Sequence, residues 1–256
     1  VTALPLDEAG VSAEALRRSD ADVVHISPSH HYPTGLVMPI ARRQELLRWA
    51  QEVPARVILE DDYDSEFRFV GRPIPTLFSI DGGEQVVYLN TFSKTIAPSI
   101  RISFMVLPRR LLADFRQKLG FYACTVSAFE QYTLAQFLAG GWYEKHLSRM
   151  RKHYRQKRDA VIAAVHQSPL APYAAITEED AGLHFLLRLD GAPPDETLRR
   201  EAEQRGIRLA MLSDYYQRPQ DAPQHVLVVN YTGIDLDRLP AALERLAALW
   251  KENDHV

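Results

Sequence analysis

The chain has 256 residues, 46% of them hydrophobic and 25% charged, enough apolar content to bury a full core in one domain or two lobes. Its 30 basic and 33 acidic residues leave a formal net charge of −3, which gives no global electrostatic footprint for nucleic acid. Cys124 is the only cysteine, so there is no disulfide framework; no apolar run approaches the roughly 20 residues that span a bilayer and the first residues lack a signal-peptide pattern, so a cytoplasmic location is expected.

Val1–Gly10 carries no initiator methionine and reads as the middle of an α/β domain, a strand leading through a turn into a helix at Ser12–Leu16; a fragment is implied. Asp22–Ile26 reads as a strand running into the loop His30-His31-Tyr32-Pro33-Thr34-Gly35. The next helix has Pro39 near its first turn and Leu46, Leu47, Trp49 and Ala50 on one face. Short apolar runs at Val57–Glu60, Val86–Leu89 and Ile102–Leu107 read as strands, the first followed by an acidic run and a polar loop through Ile80–Gly83. This alternation predicts a parallel sheet with covered faces, the remnant of a larger lobe spanning residues 1–150.

Phe121–Ala139 and Trp142–Gln167 read as helices separated by Gly140-Gly141, the second long enough to bridge two lobes. The basic run Arg149–Arg158 lies within it, and helical spacing spreads its charges around the axis as a solvated face. A smaller lobe, residues 151–256, is expected from a strand at Leu183–Leu189, a helix over Asp195–Gln204, strands at Ile207–Ala210 and Val226–Asn230, and a last helix over Asp235–Trp250. Asp195 and Asp235 suit N-caps, and Gly206 is a C-cap signal.

The segment Thr91-Phe92-Ser93-Lys94-Thr95-Ile96-Ala97-Pro98-Ser99-Ile100-Arg101 carries the chemistry. It follows an apolar strand, so it belongs at the carboxyl edge of the sheet, where open α/β sheets bind ligands. A lysine there can form a Schiff base with a phosphorylated aldehyde, and an arginine can grip the phosphate bidentately. Pyridoxal phosphate also needs an acid near its ring nitrogen, because the protonated pyridinium is its electron sink. Asp61 suits that role, with Glu60, Asp62 and Asp64 leaving the choice open by about one position. The Tyr63 hydroxyl suits the ring's phenolic oxygen, and Thr91 and Ser93 hydroxyls join Arg101 on the phosphate. No third ligand stands at a spacing diagnostic of a metal. His30 and His31 read as loop hydrogen-bonders, and Tyr32–Pro33 is a tight-loop X-Pro bond open to the cis form.

His30–Gly35, Glu60–Arg68 and Thr91–Thr95, in this order and spacing, resemble fold-type-I aminotransferases and, more closely, the MocR/GabR group of GntR-type bacterial transcription regulators. The resemblance runs over essentially the whole chain. It implies an α/β fold with the parallel-rich sheet of a large lobe, incomplete at its N-terminus, plus a smaller C-terminal α/β lobe. It further implies pyridoxal phosphate held as an aldimine on Lys94, with Asp61, Tyr63, Thr91, Ser93, Arg101 and Tyr32 around it. The implied partners are an amine or amino-acid-like effector or pyridoxal phosphate itself, DNA through a winged helix outside this chain, and a second copy in a homodimer. Two positions depart from the enzymes: Tyr32 stands where they usually carry asparagine, and Val228 where they usually carry the arginine for the substrate's α-carboxylate. The alternative is a working class I/II aminotransferase in which Lys94 also shuttles a proton; a third option is a pseudo-enzyme that uses the fold only to dimerise.

Overall fold

The computed structural model describes residues 1–71, 74–82 and 84–253, the side chains of 250–253 excepted. The chain forms two compact units: Val1–His31 with Leu36–Arg151, and Tyr32–Gly35 with the chain from Lys152 onward. The loop segment Tyr32–Gly35 therefore belongs with the second unit although it lies far from it in sequence.

The first unit opens with a small antiparallel pair, β1 (Leu6–Asp7) and β2 (Gly10–Val11). Helix α1 (Ala13–Arg17) follows, N-capped by Ser12. Then come β3 (Val23–Ile26), α2 (Ile40–Gln51), β4 (Val57–Asp61), α3 (Leu77–Asp81), β5 (Val86–Thr91), the one-turn α4 (Phe92–Thr95) and β6 (Ser103–Val106). The sheet order is β3-β4-β5-β6, with the first three strands parallel and β6 antiparallel to β5. The sheet is therefore mixed and not wholly parallel as expected, since a four-residue apolar run has no direction written in it.

The faces differ as well. Alternation along β3 buries Val24 and Ile26 and exposes Val23 and His25. The parallel register sets Ile58 and Glu60 beside Val24 and Ile26, and Leu59 beside His25, with Asp61 one residue past the paired stretch. One face is thus packed: Leu16, Leu46, Trp49, Ala50, Ile58, Leu77 and Val86 are all fully buried in one core, each large apolar side chain contributing about 1.5–3 kcal/mol. The opposite face buries Val57 and Val87 but keeps Val23 and Met105 exposed, and every residue of β6 is exposed, so the expected cover is incomplete and lacking at that edge.

The unit ends with α5 (Leu112–Leu119), α6 (Ala128–Ala139) and the first part of α7 (Trp142–Gln167). The helix expected from Phe121 starts only at Ala128, because Ser127 and Glu130 form a capping box that defines its first turn. The loop expected over Ile80–Gly83 begins as the last residues of α3, which Thr76 caps; Gly83 lies outside the described residues.

The second unit continues α7 and adds β7 (Ala174–Thr177), β8 (His184–Leu189), α8 (Asp195–Gln204), β9 (Val226–Asn230) and α9 (Leu239–Asn253). Its sheet is wholly antiparallel, in the order β7-β8-β9. Residues 207–210 do not form the expected strand: Ala210 O accepts from Val228 N at 2.9 Å and only an isolated bridge joins Met211 to Leu227. Asp195 is the first residue of α8 instead of its cap; its buried carboxylate accepts from Ser213 Oγ at 2.5 Å and His225 N at 2.7 Å. Asp235 lies four residues ahead of α9 and accepts from Asp237 N. Gly206, at φ +75°, follows the end of α8, where Ile207 N donates to Ala202 O. Among the described residues no helix is long and apolar enough to cross a membrane.

Candidate functional site

β5 runs to Thr91 and turns directly into α4, which puts an exposed Lys94 at the carboxyl end of a central strand. Thr91 shapes the turn: its hydroxyl accepts from Ser93 N and donates to Ile102 O, both at 3.2 Å. Arg101 Nη1 donates to Ser93 Oγ at 3.4 Å, so a guanidinium and a hydroxyl meet one residue from Lys94. Phe92 anchors the turn from behind, with ring centroids 5.5 Å from Phe104 and 5.9 Å, edge-on, from Tyr143. His146 Nε2 donates to Thr95 O at 3.0 Å. Tyr143 and His146 were invisible as site residues in the sequence; their only signal is a spacing of three on one helix face.

Strand alternation sorts the acidic run. Glu60 is fully buried, accepts from Leu77 N and Phe78 N at 2.8 Å each, and lies 3.8 Å from Arg43 Nη1. Burial pushes its carboxyl above the usual range, against the pull of those two amides. Asp62, also buried, accepts from Tyr88 OH at 2.7 Å and Ser65 Oγ at 2.8 Å. Asn90 extends this chain, donating to Tyr88 OH at 2.9 Å and accepting from Thr91 N at 2.5 Å, so a polar network runs from Asp62 to the first residue of the lysine turn. Asp61, between these two, points to the other face, half-buried, with its Oδ2 3.4 Å from His25 Nε2. It is the carboxylate of the run that the open face presents.

Tyr63 lies two residues beyond the strand. Its hydroxyl oxygen is 3.2 Å from Nδ1 of His30, and the same nitrogen is 2.9 Å from Asp64 Oδ2. His30 is buried as expected of a loop hydrogen-bonder, but its partners are 33 and 34 residues away. His31 is held below the ordinary histidine range by burial and then by His30.

Tyr32 and Val228 belong to the second unit. The Tyr32–Pro33 bond is cis. Tyr32 OH lies 2.7 Å from Tyr215 OH, and its ring stands edge-on to Tyr215 and to His184, whose Nε2 donates to Pro33 O at 3.0 Å. Burial, then the Tyr215 hydroxyl, pushes the Tyr32 phenol up to about 12. Val228 is buried in β9 in an apolar cluster with Leu212 and Val226, flanked by Leu186 and Tyr216. No sequence pattern pointed to Tyr215.

Residues 11–249 match the family model for aminotransferase class I and II, and the chain belongs to that family. It is 36% identical over 251 residues to the HTH-type transcriptional regulator YdeL of Bacillus subtilis (strain 168), covering 98% of this chain and 53% of that protein. It is 36% identical over 233 residues to the probable rhizopine catabolism regulatory protein MocR of Rhizobium meliloti, covering 91% of this chain and 46% of that protein. The chain thus spans about half the length of these curated relatives. Among solved structures, kynurenine aminotransferase of Pyrococcus horikoshii, crystallised in complex with PMP, superposes with a TM-score of 0.82 at 27% identity, over 98% of this chain and 63% of that one. The fold is that of a fold-type-I aminotransferase.

Proposed function

We propose that this chain is the effector-binding domain of a MocR-type transcriptional regulator, binding pyridoxal phosphate through Lys94. The observation that carries the reading is the Lys94 turn in a chain whose HTH-type relatives align over almost its full length. The donor set suits the cofactor: the contact of Arg101 with Ser93 brings a permanent cation and a hydroxyl together for a phosphate, and Asp61 offers a carboxylate on the open sheet face. When bound, pyridoxal phosphate supplies an electrophilic aldehyde and an electron sink. Lys94 would hold it covalently, Arg101 and Ser93 would hold its phosphate, Asp61 would keep its ring nitrogen protonated, and Tyr63 would face its phenolic oxygen. Thr91 would act mainly by shaping the turn.

Signalling would follow from an amine, an amino-acid-like effector, or pyridoxal phosphate itself changing the domain's preferred state, relayed to a winged helix on another part of the polypeptide in the cytoplasm. Val228 favours this over transamination, since a buried valine cannot pair with an α-carboxylate and the missing charge-assisted contact costs about 2–5 kcal/mol of substrate binding. A homodimer is supported by Phe121, Tyr122, Phe129 and Tyr132, each more than two-thirds exposed in the first unit; Phe129→Glu should shift the mass in solution toward a monomer. The deciding experiment uses the full polypeptide: pyridoxal phosphate or an amine effector should change its affinity for its own promoter DNA. Turnover of common amino-acid and keto-acid pairs at ordinary enzyme rates, roughly 1–1000 per second, would replace this reading with the aminotransferase.

A further inference from the structure

Tyr63 is set against two buried groups that belong to neither the lysine turn nor the acidic strand end. His30 is 1% exposed and Asp64 is 2% exposed. Nδ1 of His30 lies 2.9 Å from Asp64 Oδ2 and 3.2 Å from the Tyr63 hydroxyl oxygen, and the imidazole and phenol rings are 6.2 Å apart at 38°. An ionised carboxylate can only accept, so the proton between His30 and Asp64 sits on Nδ1. That N–H is also what faces the Tyr63 oxygen. The oxygen therefore accepts from His30, and the phenol's own proton is turned away from the imidazole. His31, next in the chain and neutral through burial, adds no competing charge to this group.

Resting on the reading that pyridoxal phosphate binds at Lys94, we propose that His30 and Asp64 are positioning residues that keep Tyr63 a proton donor toward the cofactor's phenolic oxygen. Asp64 fixes the tautomer of His30, and His30 fixes the direction of the phenol. The logic is that of a carboxylate orienting an imidazole in a catalytic triad, one step removed from the reacting group. His30 comes from the loop after β3 and Asp64 from beyond β4, so a change in either turns Tyr63 without touching Lys94.

Asp64→Asn preserves shape but lets its amide donate to Nδ1, which makes His30 an acceptor and draws the Tyr63 proton toward it. In the full polypeptide, Asp64→Asn is expected to weaken pyridoxal phosphate binding about tenfold, the worth of one hydrogen bond to a charged acceptor. It should also raise the pH midpoint of the Lys94-dependent visible absorbance, because a donated proton favours the deprotonated phenolic oxygen. Tyr63→Phe should do both, and Asp64→Asn should add nothing in that background. His30→Leu, which removes the orienting donor without creating a competing acceptor, should weaken binding and raise the midpoint by less than Asp64→Asn, and serves where Asp64→Asn fails to fold. An unchanged affinity and midpoint, or an undiminished Asp64→Asn effect beside Tyr63→Phe, overturns the positioning role alone. Absence of any Lys94-dependent absorbance in the unsubstituted protein overturns the functional reading on which it rests.

Discussion

Arg43 offers the sharpest test of how the first unit is held together. Its side chain is fully buried, with Nε donating to Met38 O at 3.1 Å, Nη1 to Pro75 O at 3.0 Å and Nη2 to Pro28 O at 2.8 Å, while Glu60 lies 3.8 Å away. One guanidinium thus ties the loop that carries His30, the start of α2 and the approach to α3 to the carboxylate on β4. Burial lowers its pKa from the ordinary arginine range, with Glu60 opposing. Arg43→Met removes the donors but leaves three buried carbonyls and the Glu60 charge. Removing one member of a buried pair costs about 3–5 kcal/mol, and at about 2–4 °C per kcal/mol for a unit of this size the melting midpoint should fall by roughly 6–20 °C. Glu60→Gln supplies an internal control. Alone it should cost about 1–3 kcal/mol, because the amides of Leu77 and Phe78 then share one acceptor oxygen. Combined with Arg43→Met it should be neutral or stabilising, since it removes the stranded charge. Thermal and urea unfolding of the four proteins would decide the matter; a single-variant loss below about 1 kcal/mol, or an equal cost of Glu60→Gln in both backgrounds, would refute the buried-pair account.

Two further expectations follow from the same geometry. Burial raises the carboxyls of Glu60 and Glu66 above their ordinary value of 4.5, so the native state holds those protons more tightly than the unfolded chain. Their contribution to stability is full below that value and is lost as pH rises through the folded pKa values; Glu66→Gln should flatten the decline in denaturation midpoint with pH, and an unaltered slope would contradict it. Val228→Arg would place an unpaired charge in the Leu212 and Val226 cluster and should destabilise the protein by about 3 kcal/mol or more. A variant that melts like the parent and binds α-amino acids more tightly would show that the strand accommodates a carboxylate anchor after all.

The sequence and the structure agree best where local chemistry sets the outcome. Pro194 and Gly206 bracket α8 at Asp195–Gln204, the span read from the sequence. Likewise Leu46, Leu47, Trp49 and Ala50 of α2 are buried together, as their spacing on one helix face requires. The failures are non-local. β6 runs antiparallel to β5, since the short connection between them leaves no room for a parallel crossover, a constraint the apolar pattern of the strand itself does not encode. Ile207–Ala210 has a strand's composition, yet only its last residue reaches β9. In the candidate site, Lys94, Arg101 and Ser93 were legible because they lie within eight residues of one another. Which acidic residue faces which side became visible only with the register of β4 against β3. The link from Asp64 through His30 to Tyr63 closes over 34 residues and left no mark on the linear pattern.

The measurement that bears most directly on the proposed function is chemical trapping of the cofactor. The full polypeptide is incubated with pyridoxal phosphate, reduced with borohydride, digested and mapped by mass spectrometry. The modification should fall on the peptide containing Lys94, disappear in Lys94→Ala, and require a higher concentration of pyridoxal phosphate in Arg101→Ala. Labelling spread over other lysines, or unchanged labelling in Lys94→Ala, would contradict it.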